Sequence, residues 1–585
     1  MERILRVNME SLGVSAEEVA QEFEQVGGRA LSSMVICKEV YAPCHPLGEK
    51  NKLVLAPGML GGSPVPSSGR LSVAAKSPLT GTINEANAGG SAGSKLGRLG
   101  VKAIIIEGLP KEEGPYVLKI DRAGLTILPA SEFKGLGNYE LAERLREAHG
   151  KGVGIISVGP AGEAKMAAAS VAVTDIEGRP AHHAARGGMG AVMGSKGVKA
   201  VVIDDSGTQS VAPKNSDLFS KANARLVEIL SKESPMLQML HQFGSSVGVE
   251  MANQIGSLPT RNHRSGSFEK AGDIGPGRTE ELIRERGGTP GGRPCMPGCL
   301  VGCAVNFVDK EGKHVTSALE FETLAILGAN LGIGDLDAIA AMDRLCDDLG
   351  LDTIEMGNAL AVAAEAGLMH FQDSSRAIEL LKEVGKGTIL GRILGQGAVV
   401  TGKVFGITRV PAAKGLGFPA WEPRAINGAG VTYASSPQGS DHTCGFSQED
   451  PHGSEGQAKR SRDAQVSIIS MCDSPGFCFF PWHLAGVPVH EYIFQLISAQ
   501  YGFDFSTEKA MNIAKEVLQI ERAFNEEAGF SKGADTLPEF IMDEPFPPSN
   551  AVFDVPPEEI EKVFDFGPET EITPTGPVTL PAGGH

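Results

Sequence analysis

The chain has 585 residues, too many for one ordinary hydrophobic core, so two to four domains are expected. A formal charge of −18 argues against nucleic acid or an anionic membrane surface as the main partner, and 41% hydrophobic with 21% charged residues is a globular balance. No apolar run reaches the roughly 18 residues of a membrane span, the opening MERILRVNMESLG has no apolar signal core, and nine cysteines make an unpaired set, so a reducing, cytoplasmic setting is expected.

Residues 1–210 carry short β-type runs between Gly, Pro and charged punctuation: ILRVNM, KLVLAP, RLSVAAKS, VKAIIIEGL, YVLKID, LTILPA, VGIISVGP and KAVVIDD. Two helical stretches interrupt them, SAEEVAQEFEQV with Ser15 as N-cap and NYELAERLREAHG with Asn138 as N-cap. Three glycine-rich segments stand out in this region. SSGRLSVAAKSPLTG sets Arg70 between a turn and a strand, INEANAGGSAGSKL sets Asn87 before Gly89 and Gly90, and HHAARGGMGAVMGSKG sets Arg186 before Gly187 and Gly188. Backbone N–H groups in such loops can form anion nests, and Arg adds a bidentate donor for phosphate; plain turns between strands are the alternative. None has the Walker or dinucleotide spacing in its strand–helix context.

After residue 210 apolar residues recur at three- and four-residue steps, in DLFSKANARLVEILSKESPMLQMLHQFG and from Leu319 to Leu390, so helices are expected to dominate. GQAKRSRDAQVSIISM and TEKAMNIAKEVLQIERAFNEE continue the pattern. The Gly-, Ser- and Pro-rich run from Pro411 to Ser440 reads as a loop or boundary, and the Pro- and Thr-rich last twenty residues as a loose tail. The expectation is an α+β chain with domains at 1–210, 211–410 and 411–585.

The stretch RPCMPGCLVGC gathers Cys295, Cys299 and Cys303, three of the nine cysteines, around Pro297, Gly298 and Gly302. Thiols so close on a tight loop suit zinc or an iron–sulfur cluster, and both need a fourth ligand. Two matching hexapeptides each follow a helical stretch: Asp347 to Asp352, with Gly350 and Leu351, and Asp473 to Cys478, with Gly476 and Phe477. In the first, Gly350 reads as a helix stop and Asp352 with Glu355 as a capping box. The second ends on Cys478, a candidate fourth ligand. Ser317 and Glu320 read as a capping box for ALEFETLAILGANLG, which leaves Glu322 without a structural duty in an apolar helix. His442, beside Asp441 in a Gly- and Ser-rich loop, is a second acid–base candidate; a surface position is the plain alternative.

Taken in order, ILRVN, GGRAL, SSGRLSVAAKSPLTG, NEANAGG, GPAGE, ARGGMGAVMGSKGVKA, LEFETLAILGANLGI, DDLGLDTIEMGNALA and DSPGFC cover most of the first 480 residues. Through them the chain resembles the aldehyde ferredoxin oxidoreductases, tungsten–bispterin enzymes of anaerobic bacteria and archaea. The resemblance implies a sheet-rich N-terminal domain forming a base under two mainly helical domains that enclose the metal site. It implies tungsten, or molybdenum, held by the dithiolenes of two pterins, one at Asp347, Gly350, Leu351 and Asp352 and the other at Asp473, Gly476 and Phe477. Arg70, Asn87, Arg186, Gly187 and Gly188 would meet the pterins and their Mg2+-bridged phosphates.

The resemblance also implies a [4Fe–4S] cluster on Cys295, Cys299, Cys303 and Cys478, passing electrons to ferredoxin or another iron–sulfur protein or subunit. The family places two residues between the first cysteine pair; here there are three, and Met296 stands where the first ligand is expected. Glu322 and His442 would flank the metal. The implied reaction oxidises a small aldehyde to a carboxylic acid, with Glu322 as general base for water and His442 hydrogen-bonded to the substrate carbonyl. Reduction of an aromatic acyl-CoA by a related tungsten subunit is the alternative within the family. A radical S-adenosylmethionine enzyme has three-then-two cysteine spacing, unlike the spacing here, and a non-catalytic zinc-stabilised interaction protein is the remaining option. A homodimer and a subunit of a larger complex both stay open, and Arg284, Arg286 and Arg293 form a candidate basic patch for ferredoxin.

Overall fold

Side-chain alternation decides the N-terminal architecture, because successive residues of a strand face opposite sides. In Arg3–Asn8, Leu5 and Val7 enter one core and Ile4 another. Leu53 and Leu55 alternate with Val54 in the same way, and Ile104 and Ile106 with Ile105. In the computed structural model, which describes residues 2–112, 114–567 and 570–575, these strands form the first of two six-stranded sheets. Its order is Gly13–Glu18, Arg3–Asn8, Val101–Glu107, Leu53–Pro57, Leu71–Lys76 and Ile83–Ala88. The second runs His182–Ala184, Val171–Val173, Gly154–Ser157, Val198–Ile203, Tyr116–Asp121 and Gly124–Pro129. Leu5, Val7, Leu53 and Leu55 of the first share a core with Leu118, Ile120, Val201 and Ile203 of the second. All the β-type runs read from the sequence are strands.

The stretch beginning at Ser15 is not a helix. Gly13–Glu18 is an edge strand paired antiparallel with Arg3–Asn8, and only the single turn Gln21–Phe23 follows. A helix there would have had little apolar surface to bury, whereas the strand closes a full ladder and brings Glu17 to 2.9 Å from Arg6. Asn138 is the first residue of the helix Asn138–His149, not its cap, which is Gly137. In the two large sheets three further strands went unread, Ile83–Ala88, Val171–Val173 and His182–Ala184: the first is masked by Asn and Glu, the others are three residues long.

From Ser216 onward the chain is mainly helical, and it has an α+β organisation overall. The run from Pro411 to Ser440 contains the helix Asn427–Ser435, buried all round and therefore without the polar face that would have marked it. Arg29, fully buried in the helix Gly28–Glu39, joins the two regions. Its guanidinium is 2.8 Å from Glu521 in the helix Thr507–Glu527 and 3.4 Å from Asp473. Around that pair Leu31, Val35 and Ile36 pack in one core with Ile469, Val517 and Leu518. Among the described residues no single helix is long and apolar enough to cross a membrane. Of the last twenty residues, 566–567 and 570–575 carry no helix or strand, and the remainder of that tail lies outside the described residues.

Candidate active site

The edge strands of the two sheets, Ile83–Ala88 and His182–Ala184, pack against each other. Arg70 leads into Leu71–Lys76, Asn87 lies in Ile83–Ala88 and Arg186 follows His182–Ala184, so this junction gathers all three. A cavity of about 380 Å³ opens beside it. Its walls include Arg70, Asn87 and Arg186, Asp347, Leu351 and Asp352 of the first hexapeptide, the four cysteines 295, 299, 303 and 478, and Glu322 with His442. Gly187, Gly188, Gly350, Asp473, Gly476 and Phe477 are not on the walls.

Each hexapeptide is docked on the loops of a different sheet. In the first, Gly350 ends the helix Leu336–Leu349 at φ 72°, and its carbonyl accepts the Ser170 N–H at 2.9 Å. The Asp352 N–H donates to the Ala168 carbonyl at 3.0 Å, and the Asn138 amide donates to the Asp347 carbonyl at 2.8 Å. Asp352 caps the helix Thr353–Glu365 through the Ile354 N–H at 2.9 Å. The expected reciprocal bond from Glu355 is absent: that carboxylate accepts the N–H groups of Ala398 and Gly417, both at 2.8 Å. In the second hexapeptide, the carbonyls of Ser474 and Pro475 accept the N–H groups of Met59 and Leu60 at 3.0 Å. Gly476, at φ 74°, lies on Gly58 so closely that a Cβ would stand 2.8 Å from its Cα. Asp473 turns to Arg29, Phe477 enters the core, and only Cys478 reaches the cavity.

Gly187 and Gly188 act through close approach. Both have φ near +75°, and a Cβ would strike Asn84 at 2.1 Å in the first case and the Ala167 carbonyl at 2.4 Å in the second. The buried Asn84 Oδ1 has no hydrogen-bond partner among the described residues. Arg70 donates to the Asn87 side chain and, at 3.0 Å, to its carbonyl. No carboxylate lies within ion-pair distance of Arg70 among the described residues, so this half-buried cation lacks a counter-ion of its own. Arg186 is better provided, reaching Asp352 at 3.4 Å, the Ser440 carbonyl at 2.9 Å and the Gly417 carbonyl.

Cys295, Cys303 and Cys478 are buried and Cys299 is half-buried. The Cys299 thiol is drawn down to about 6 by the Cys295 side chain beside it and by the N–H groups of Gly302 and Val301. Burial pushes the thiols of Cys303 and Cys478 up. The longer first spacing does not turn Cys295 away. Its sulfur lies against Gly89 on the cavity wall, while Met296 is fully buried and its Sδ accepts the Gly69 N–H at 3.2 Å. Among the described residues no three His, Cys, Asp or Glu side chains converge closely enough to hold a single metal ion.

Glu322 lies in the one-turn helix Phe321–Thr323, which passes into a π-turn at Leu324–Gly328. The expected capping box is not formed: Glu320 is the N-cap residue with no side-chain cap bond, and Ser317 instead contacts His314 Nε2 at 2.6 Å and accepts from Arg179 at 3.3 Å. Glu322 Oε2 accepts the Ala420 N–H at 2.8 Å, and Oε1 faces His442 Nε2 at 3.5 Å with no hydrogen bond of its own. Burial raises the Glu322 carboxyl against the pull of His442. His442 opens the turn His442–Cys444, which Asp441 caps through the Thr443 N–H. Ala420 is anchored in turn two residues on. Glu422, fully buried, meets Arg424 Nε at 2.7 Å and His263 Nδ1 at 2.6 Å. Burial opposes its charge, but Arg424 and His263 hold its carboxyl at about 2.

Several wall residues were not read from the sequence. Burial lifts Glu320 to about 7, lifts Glu85 to about 8 and lowers His182 to about 4. The pair of histidines immediately before the Arg186 motif was the available signal for the last. The candidate docking patch is weakened, because Arg286 holds Asp337 at 2.6 and 2.9 Å and Arg284 is paired with Glu280.

A half-buried carboxylate–imidazole pair, four thiols and a guanidinium without a counter-ion line one cavity, a donor set suited to an enzyme that holds a redox cofactor. The family model for the aldehyde ferredoxin oxidoreductase N-terminal domain matches residues 4–205, and that for its domains 2 and 3 matches residues 221–565. The chain belongs to the aldehyde ferredoxin oxidoreductase family and is an oxidoreductase. The tungsten-containing aldehyde ferredoxin oxidoreductase of Pyrococcus furiosus is 32% identical over 580 residues, covering 93% of this chain and 92% of that protein. The aliphatic sulfonate oxidoreductase WOR-like subunit of the same organism is 27% identical over 549 residues, with 87% and 82% covered. Among solved structures, the active-site complex BamBC of benzoyl-coenzyme A reductase shares the fold, with a TM-score of 0.77, 19% identity and 96% and 93% of the two chains covered. The family's tungsten-containing members imply a tungsten pterin cofactor here.

Proposed function

We propose that the protein oxidises an aldehyde to a carboxylate at a tungsten–bispterin centre and passes two electrons through a [4Fe–4S] cluster to ferredoxin or a similar iron–sulfur protein in the cytoplasm. The observation that carries this is the placing of the Glu322–His442 pair on the same cavity as four thiols and Arg70. The residues present fit the groups. Cys295, Cys299, Cys303 and Cys478, four thiols on one cavity wall, would hold the cluster. Arg70, Asn87 and Arg186 would meet the anionic pterin phosphates and their Mg2+, with Asn84 Oδ1 as a spare acceptor. We further propose that pterin binding is divided between the two sheets as the hexapeptides are, within domains at 1–210, 211–410 and 411–585.

The bound tungsten pterin supplies the two-electron acceptor, and the chain supplies position and proton transfer. Oxidation of an aldehyde to a carboxylate adds one oxygen from water and releases three protons and two electrons. Glu322 Oε1 is the acceptor for a proton from that water, since its Oε2 is occupied by the Ala420 N–H. The His442 Nε2–H, 3.5 Å from Glu322, donates to the carbonyl oxygen of the aldehyde. Protein purified without oxygen should carry about one tungsten and about four irons per chain and reduce ferredoxin or a viologen dye when given an aldehyde. Zinc as the sole metal, or aldehyde-independent dye reduction in fully loaded protein, would sink the proposal.

A further inference from the structure

The wall of the cavity next to Glu322 and His442 is built of rings. Trp421 follows Ala420, whose N–H holds Glu322, and its ring lies 5.1 Å from Phe321 and 5.2 Å from Phe446. Phe446, four residues beyond His442, meets His483 edge-on at 6.1 Å, and His483 stacks on Phe479 at 4.6 Å. All five rings line the cavity, and they come from four separate stretches of chain. The faces and the edges of such rings are both surfaces against which a further aromatic ring packs.

The rings themselves carry no charge. Burial alone lowers the His483 imidazole to about 4, so it is neutral at working pH, and its Nδ1 has no partner among the described residues. No lysine lines the cavity; of its two arginines, Arg186 is engaged by Asp352 and two carbonyls, and Arg70, bonded only to the neutral Asn87, is the cation assigned above to the pterin phosphates. With Arg70 taken up by those phosphates, a sulfonate, a phosphate-bearing thioester or a sugar acid would find no further unpaired cation on the wall. Small aliphatic aldehydes would leave the rings uncovered.

We infer that this ring wall is the substrate-recognition surface and selects an uncharged aldehyde carrying a flat aromatic ring, an inference that rests on the aldehyde oxidation proposed above. Ring stacking adds specificity beyond the area buried, so benzaldehyde should exceed the equally bulky but non-planar cyclohexanecarbaldehyde by about tenfold in kcat/KM. The test compares these two and acetaldehyde with the tungsten- and iron-loaded enzyme, and repeats the comparison in Phe446→Leu and His483→Leu. The variants should bring the benzaldehyde-to-cyclohexanecarbaldehyde ratio toward one. Calorimetric binding of benzamide against cyclohexanecarboxamide, neutral and unreactive mimics, reads ring selection without turnover and should favour benzamide by about tenfold. Equal kcat/KM for the two aldehydes, or equal affinity for the two amides, overturns the aromatic assignment and leaves aldehyde oxidation standing. If loaded enzyme oxidises none of the three aldehydes, the oxidation reading falls instead, and the amide comparison alone decides ring selection.

Discussion

Replacing Glu322 by Gln separates catalysis from architecture, because the two carboxylate oxygens have different neighbours. The amide oxygen can keep accepting the Ala420 N–H at 2.8 Å, while the amide NH2 takes the place of Oε1 facing His442. An NH2 group cannot take a proton, so turnover should fall by the contribution of a general base, about 10² to 10⁴-fold, equivalent to roughly 3–5 kcal/mol of barrier. Stability should move the other way. Burial raises the folded-state pKa of Glu322 above its unfolded value, so the native state binds this proton more tightly than the unfolded chain. The native state therefore loses stability as pH rises from the unfolded value of about 4.3 through the folded one. Gln escapes that loss, so the variant should melt at the same temperature or higher at pH 8, with the difference closing below about pH 4. The assay is aldehyde-dependent viologen reduction alongside tungsten and iron analysis and thermal melts at both pH values. Turnover within threefold of the parent at full metal loading would refute the base assignment, and a lower melting temperature at pH 8 would refute the burial argument.

Cys295→Ser should leave fewer than the about four irons of the parent and weaken the visible absorption of the cluster; adding Met296→Cys should not restore either, because position 296 points to Gly69. Full iron in the single variant would remove Cys295 from the ligand set. Glu422→Gln removes a carboxylate held at about 2 by Arg424 and His263, and from the gap to an unfolded value near 4.3 should cost about 3 kcal/mol at neutral pH. Since a lowered carboxyl stabilises above its unfolded pKa and loses that stabilisation as pH falls toward the folded one, the cost should shrink between about pH 4 and pH 2; a pH-independent deficit in denaturation experiments would contradict this. Arg29→Met leaves Glu521 buried without its partner, and should destabilise by about 3–5 kcal/mol, read as a lowered apparent melting temperature with cofactor content measured beforehand. A melting temperature within 1 °C or so of the parent would refute that account.

Local periodicity was enough for the elements whose signal is local. The short β-branched apolar runs in VKAIIIEGL and KAVVIDD mark strands, and the helix Thr507–Glu527 coincides with its three- and four-residue apolar pattern. The grouping of Cys295, Cys299 and Cys303 and the helix stop at Gly350 were equally legible, since spacing and backbone conformation are properties of a few neighbouring residues. In a helix, burial on every side erases the amphipathic signal, as in Asn427–Ser435, and in a strand whose polar residues face a site the signal inverts, as in Ile83–Ala88.

What only the tertiary structure decided is which groups share a dielectric environment. Asp473 and Arg29 are 444 residues apart in sequence, yet their 3.4 Å contact turns most of the second hexapeptide away from the cavity and leaves Cys478 as its sole contribution. Glu320 looked like a cap and Glu322 like a spare carboxylate; burial lifts both, and the Ala420 N–H and His442, each about a hundred residues on in the chain, single out Glu322. The sequence by itself named the chemistry available: thiols, carboxylates, imidazoles and guanidinia on recognisable motifs. Their convergence on one cavity, and the ring wall that faces it, depend on long-range packing, because desolvation and contact are set by neighbours in space and not along the chain.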